Sequence, residues 1–236
     1  ESDRMRNKLL VEAVGTFFLC LAVLVSGGPL PVAALLCALL YMGAPISLPH
    51  YNPAVTLAFR LRGRIGTRAL GAFLGVQLVA ALAAALVAGA LVGHDTDRAK
   101  AAVDALGSPA FEGFLASATV ELLGTFLFAF VVLTVGTSRL TAGNSYYGFA
   151  IALAALGVAG IFSDFGSSIN PASSLASSLF GACAALSEGL EGTKAFVTET
   201  VYLAKIAPRV LAEVGVQFLG AALAAWFFRY LFPEDR

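Results

Sequence analysis

The sequence predicts an all-α membrane protein of six transmembrane helices plus two re-entrant half-helices, arranged as an inverted repeat. Three observations carry that expectation. The chain is 58% hydrophobic and 13% charged, with a mean hydropathy of +0.84, whereas soluble domains carry about 25% charged residues. The triplet Asn52-Pro53-Ala54 returns as Asn170-Pro171-Ala172, each time after a loop-like run. Landmarks around both triplets also recur in the same order, so the chain reads as two similar halves.

Taken in order, the spans fall at about 8–27, 30–47, 66–92, 112–136, 145–162 and 208–231, each long enough in apolar residues to approach or exceed a bilayer core. The half-helices follow the second and fifth spans. Asn is a favoured N-cap, because its side-chain oxygen accepts an otherwise unpaired backbone N–H. Pro suits the first helical position, where its missing N–H costs nothing. Asn-Pro-Ala therefore reads as a helix start, twice. The first such helix meets Arg60 within about two turns and the second reaches Gly181 within about three, so neither spans a membrane alone.

The repeat is specific in its register. Val11-Glu12-Ala13-Val14-Gly15-Thr16-Phe17 returns as Val120-Glu121-Leu122-Leu123-Gly124-Thr125-Phe126, 109 residues on. Asn52 returns as Asn170 at an offset of 118, and Gly75-Val76-Gln77-Leu78 as Gly215-Val216-Gln217-Phe218 at 140. Each half holds three spans, an odd number, so the second must run inverted, and half-length helices in inverted repeats mark a permeation pathway. The last rise in offset places 22 extra residues within about 182–207, of which Lys194 to Ala207 has some amphipathic character. The expected organisation is a single transmembrane channel domain over 1–236, with repeats at about 8–92 and 112–231.

Basic residues orient it. With both termini inside, the inner segments hold Arg4, Arg6, Lys8, Arg60, Arg62, Arg64, Arg68, Arg139, Arg229 and Arg236, and the outer ones only Arg98, Lys100, Lys194, Lys205 and Arg209. That asymmetry predicts cytoplasmic termini and an extracellular 182–207 insertion. The first apolar run continues into the body of the chain, unlike a cleaved leader. Zero formal net charge gives no indication of a nucleic-acid partner. Cys20, Cys37 and Cys183 lack metal-ligand spacing; the first two read as packing residues, while Cys183 is placed where solvent can reach it. His94, among Asp95, Asp97 and Arg98, reads as solvated. Gly71 and Gly75 form an ordinary small-xxx-small packing pair.

These residues resemble the aquaporin superfamily, also called major intrinsic proteins. The resemblance rests on Glu12 with Gly15-Thr16-Phe17, on Ser47 and His50 before Asn52-Pro53-Ala54-Val55-Thr56, on their second-half counterparts, and on Leu219 to Ala225 in the last span. It implies a channel with one pore per subunit of a homotetramer in the cell membrane, with no cofactor and no metal. It implies too that the half-helix N-termini meet at mid-membrane, where each carries about +0.5 of an elementary charge and opposes cations. Asn52 and Asn170 would line the pore and donate to the passing molecule. Glu12 and Glu121 are carboxyls within spans; their equivalent positions favour a role in holding the loops' N–H groups over proton relay. His50 either faces the pore or ties its loop together.

The resemblance places a selectivity constriction at Val32, Val158, Ser167 and Ser173. Relatives usually carry Arg where this chain has Ser173, and an Arg is long, planar and always charged. Its replacement by Ser implies a wider, neutral opening for water and small uncharged solutes such as glycerol, urea or neutral metalloid hydroxides. Two other classes stand beside this reading: a junctional membrane protein with a closed pore, and an ion-coupled transporter, for which inverted repeats also serve. The latter finds no titratable pair apart from Glu12 and Glu121. An enzyme finds no nucleophile–base constellation.

Overall fold

The structure, a computed structural model, describes residues 2–92, 111–162, 168–187 and 193–235. Among them the apolar runs condense into α-helices, with no strand. These are α1 (Ser2–Val25), α2 (Pro29–Gly43), α3 (Pro53–Leu61), α4 (Thr67–Val92), α5 (Phe111–Thr137), α6 (Tyr147–Ile161), α7 (Pro171–Ser187) and α8 (Thr193–Leu231). A 3₁₀ turn over Arg139–Thr141 follows α5, started by the Ser138 hydroxyl accepting the Leu140 N–H at 3.2 Å.

The six expected spans are α1, α2, α4, α5, α6 and α8, and the half-helices are α3 and α7. Four of the spans are long apolar helices, while α2 and α6 have 15 residues each. α2 ends earlier than its apolar run because Pro45 has no N–H to continue the ladder. α8 departs from expectation in the other direction. The apolar pattern begins at Pro208, yet the helix runs back through that proline to Thr193, giving 39 residues. At about 1.5 Å per residue it is far longer than a bilayer core of about 30 Å. The Lys194–Ala207 stretch is thus backbone-continuous with the last span. α7 likewise extends past Gly181 to Ser187.

Helix packing follows the repeat. α1 packs on α4 as α5 packs on α8, α3 on α8 as α7 on α4, and α1 on α7 as α5 on α3; α2 meets α6, its own counterpart. Hydrophobic driving force is weak between helices in lipid, so close approach depends on small residues. Ala81, Ala84, Ala85 and Ala88 of α4 provide it, buried with Ala172 and Ala176 of α7. Large apolar side chains such as Leu10, Phe18, Leu86, Phe149, Leu153 and Trp226 point outward, as a lipid-facing surface requires.

Two close approaches depend on glycine. The Tyr51 ring lies buried against α1 and α2, its hydroxyl donating to the Leu39 carbonyl at 2.9 Å, and a Cβ at Gly15 or Gly43 would collide with it. At Gly220 a Cβ would stand 2.7 Å from the Leu122 carbonyl oxygen on α5. Gly15→Ala and Gly220→Ala are each expected to destabilise the fold by about 1–3 kcal/mol through overpacking. Gly75→Ala, where a Cβ meets nothing within 4 Å, should be close to neutral. Thermal unfolding of the detergent-solubilised protein measures all three, and equal midpoints for the three variants would contradict this packing.

Candidate functional site: the paired half-helix starts

Each half-helix begins as its sequence dictates. Asn52 is extended (φ −156°, ψ 119°), and its Oδ1 accepts the N–H of Ala54 at 2.8 Å and of Val55 at 3.3 Å. Asn170 Oδ1 accepts the Ala172 N–H at 3.0 Å. With each oxygen occupied by its own helix, each amide nitrogen is turned across to the other half. Asn52 Nδ2 donates to the Ile169 carbonyl at 2.8 Å, and Asn170 Nδ2 donates to the Tyr51 carbonyl at 3.0 Å. The two helix starts are therefore stitched together reciprocally. An amide NH₂ has two hydrogens, so each Asn keeps one donor beyond this stitch.

The receiving carbonyls belong to residues in an unusual conformation. Tyr51 has φ 51° and Ile169 has φ 48°, a left-handed region that bulky and β-branched residues rarely adopt. Such strain costs on the order of 1–3 kcal/mol per residue and persists only where surroundings hold it. Here the holders are Glu12 and Glu121. Glu12 accepts the His50 N–H at 2.6 Å, the Tyr51 N–H at 2.8 Å and Gln77 Nε2 at 2.8 Å. Glu121 accepts the Ser168 N–H at 2.6 Å, the Ile169 N–H at 3.0 Å and Gln217 Nε2 at 2.9 Å. Gln77 donates also to Thr56 Oγ1 at 2.9 Å, and Gln217 to Ser174 Oγ at 2.9 Å. Each half thus builds the same carboxylate–glutamine–hydroxyl support under its loop.

Sequence reasoning missed Gln77, Gln217, Thr56 and Ser174 as parts of this support. The signal was present, since two glutamines recur at equivalent places inside apolar runs, but it served only to set the repeat's register. His50 contacts α3 and α4. Its Nδ1 lies 3.1 Å from Thr56 Oγ1, and its ring packs on Phe59 and Phe73 at centroid distances of 4.1 and 5.3 Å.

The four residues expected at a constriction are placed unevenly. Val32 is half-buried against the main core. Val158 is 1% exposed and Ser173 2% exposed, and the Ser173 hydroxyl sits 3.8 Å from Cys20 Sγ on α1. Ser167 lies outside the described residues, as do residues 163–166.

Six spans in inverted halves, with two half-helices opposed at their N-termini, define a pore-type membrane protein. Residues 27–228 match the Major intrinsic protein family. The chain belongs to that family, which is one of channels and not of enzymes. It is 31% identical over 195 residues to "Aquaporin NIP1-2" of Arabidopsis thaliana, covering 75% of this chain and 65% of that protein. It is 29% identical over 195 residues to "Aquaporin Z" of Rhodopseudomonas palustris, covering 74% and 80%. The chain thus spans just under two thirds of the plant relative's length. Its fold is similar to the crystal structure of the aquaglyceroporin from Plasmodium falciparum, with TM-score 0.70, 16% identity and 98% of both chains covered.

Removing either carboxylate would strand two backbone N–H groups and a glutamine amide, each buried donor left unpaired costing about 1–3 kcal/mol. Glu12→Ala and Glu121→Ala are therefore each expected to lower stability by roughly 3 kcal/mol or more. Glu12→Gln, whose remaining oxygen still accepts, should be milder. Thermal midpoints in detergent check this, and indistinguishable alanine and glutamine variants would contradict the support role.

Proposed function

We propose that this chain forms a passive pore for water and small uncharged solutes, with both termini on the cytoplasmic side of the cell membrane and one pore per subunit of a homotetramer. The observation that carries the reading is the reciprocal bonding of Asn52 and Asn170. It holds two helix N-termini face to face and leaves one amide N–H on each Asn for a passing oxygen. A water or alcohol hydroxyl crossing this point exchanges one hydrogen bond for another. A cation meets the positive ends of two helix dipoles instead, each worth about half an elementary charge.

Selectivity among neutral solutes is the finer part of the proposal. Ser173 provides neither the charge nor the length of an Arg, so the outer constriction admits solutes of glycerol or urea size. Ser hydroxyls and backbone carbonyls replace shed water, while Val32 and Val158 accept an apolar face. An ion gains far less there, because burying an unpaired charge costs much more than burying a hydroxyl. In this reading the 182–207 segment sits over the outer mouth as a partly helical cap.

A second reading, a junctional protein with a shut pore, draws on a specific observation: Val158, Ser173, Asn52 and Asn170 are all buried. Stopped-flow light scattering on proteoliposomes separates the two. The channel reading expects water and glycerol fluxes well above protein-free vesicles, and flux equal to those vesicles for every osmolyte selects the shut pore. Ser173→Arg should then reduce glycerol flux more than water flux. An unchanged ratio would remove Ser173 from the constriction. Native mass measurement tests the tetramer.

A further inference from the structure

At the end of α3 away from the paired Asn residues, three guanidinium groups converge on one carboxylate. Arg62 caps α3, Arg64 follows in the connection to α4, Arg139 opens the 3₁₀ turn after α5, and Asp235 lies just beyond α8. Arg62 Nη2 is 3.0 Å from Asp235 Oδ1, Arg64 Nη2 is 3.7 Å from it, and Arg139 Nε is 3.8 Å from it. The Arg139 N–H donates to Oδ2 at 3.0 Å. Burial works against the charge of Asp235, but the Ser138 hydroxyl, the Arg139 N–H and the Arg62 guanidinium outweigh it and hold the carboxyl below its ordinary range.

The cluster is unbalanced. It carries three positive charges against one negative, and among the described residues these arginines pair with no other carboxylate within 4.0 Å. Its members also differ in exposure: the side chain of Arg62 is 1% exposed, that of Arg64 35% and that of Arg139 73%. Arg62 is committed to the interior, its Cζ 4.5 Å from the centre of the Phe228 ring; its buried Nε and Nη2, like Asp235 Oδ1, have no hydrogen-bond partner among the described residues, so the 3.0 Å contact between Nη2 and Oδ1 is an ion pair without hydrogen-bond geometry. Arg64 donates once, to the Thr137 carbonyl at 2.6 Å. Both outer guanidiniums stand at long range from a single oxygen that Arg62 approaches more closely as an ion pair. Five donors on each guanidinium leave this face short of acceptors.

The position supplies the ligand chemistry. From Asn52 to Arg62 a helix rises about 15 Å, half of a hydrocarbon core of about 30 Å. If the paired Asn residues lie at mid-membrane, the cluster lies at the edge of the hydrocarbon core, next to the lipid phosphates that both leaflets present. A phosphate has several oxygens in a geometry that a guanidinium fork matches bidentately. We infer that Arg64 and Arg139, backed by Arg62, form a binding site for a phosphate oxyanion at the membrane surface, with Asp235 resident at its inner edge. A bound phosphate would tie the α3–α4 connection to the turn after α5, the same segments that Asp235 joins, and would feel the repulsion of that carboxylate.

The test titrates the purified full chain in neutral detergent with dioctanoyl phosphatidylglycerol, with dioctanoylglycerol, which has tails but no phosphate, and with inorganic phosphate. The thermal midpoint is the readout. Phosphatidylglycerol should raise the midpoint and dioctanoylglycerol should not. At about fivefold in affinity per arginine near a charged surface, R64Q/R139Q should bind roughly thirtyfold more weakly. Asp235→Asn removes the competing charge and should tighten binding several-fold, even though it lowers the midpoint without lipid; a purely structural ion pair would lower the midpoint and leave affinity unchanged. Should Asp235→Asn not fold, the double variant at the two outer arginines still decides. A rise with inorganic phosphate as large as with the lipid assigns the site to the free ion, and a rise with the lipid alone assigns it to the headgroup. No rise with either, or unaltered affinity in R64Q/R139Q, overturns the site.

Discussion

Two buried carboxylates, Glu12 and Glu121, are what the interior of this protein depends on. A half-helix that starts among packed spans must be reached by non-helical chain, whose buried N–H and C=O groups need partners. Such backbone is tolerated only where protein satisfies it. Each glutamate accepts two consecutive loop N–H groups and a glutamine amide. The loops can then hold Tyr51 and Ile169 in left-handed conformations that would otherwise unwind. Those conformations turn two carbonyls toward the opposite half, where the Asn amides take them. The chain of dependence runs from carboxylate to loop, from loop to strained residue, and from strained residue to the stitch between the halves.

Repetition makes this arrangement economical. The same support is built twice, from residues at equivalent places, and it is the inversion of one half that brings the two products together. Packing obeys the same symmetry: α3 lies on α8 and α5 while α7 lies on α4 and α1. Each half-helix is thus gripped by two spans of the opposite repeat as well as by the last span of its own. The two copies differ where function can differ. Val55 follows the first triplet and joins the main core, whereas Ser173 follows the second and lies beside Cys20. The C-terminal end of α3 carries the Arg62–Asp235 tether, so the first half-helix is fixed at both ends.

Much of this was legible in the chain. Apolar runs fixed the number of spans, because a bilayer leaves few ways to bury them. The Asn-Pro-Ala triplets located both half-helices, because capping and proline placement are local chemistry. Glu12 and Glu121 were recognisable because a carboxyl inside an apolar run is costly enough to need a purpose. Helix ends were read less well. Pro45 cut α2 short, while α8 ran straight through Pro208 to Thr193, since proline bars a bond locally but tertiary context decides whether a helix continues.

By itself, then, the sequence determined the fold class, the inverted halves and the two helix starts, all consequences of composition, period and local capping. Only the tertiary structure decided that each Asn amide reaches across to the other loop and that Gln77 and Gln217 complete the carboxylate supports. It alone decided that Asp235 closes on three arginines from two distant segments. Those contacts join residues 65 to more than 170 positions apart, and no local pattern encodes a distance that the packing of whole helices sets.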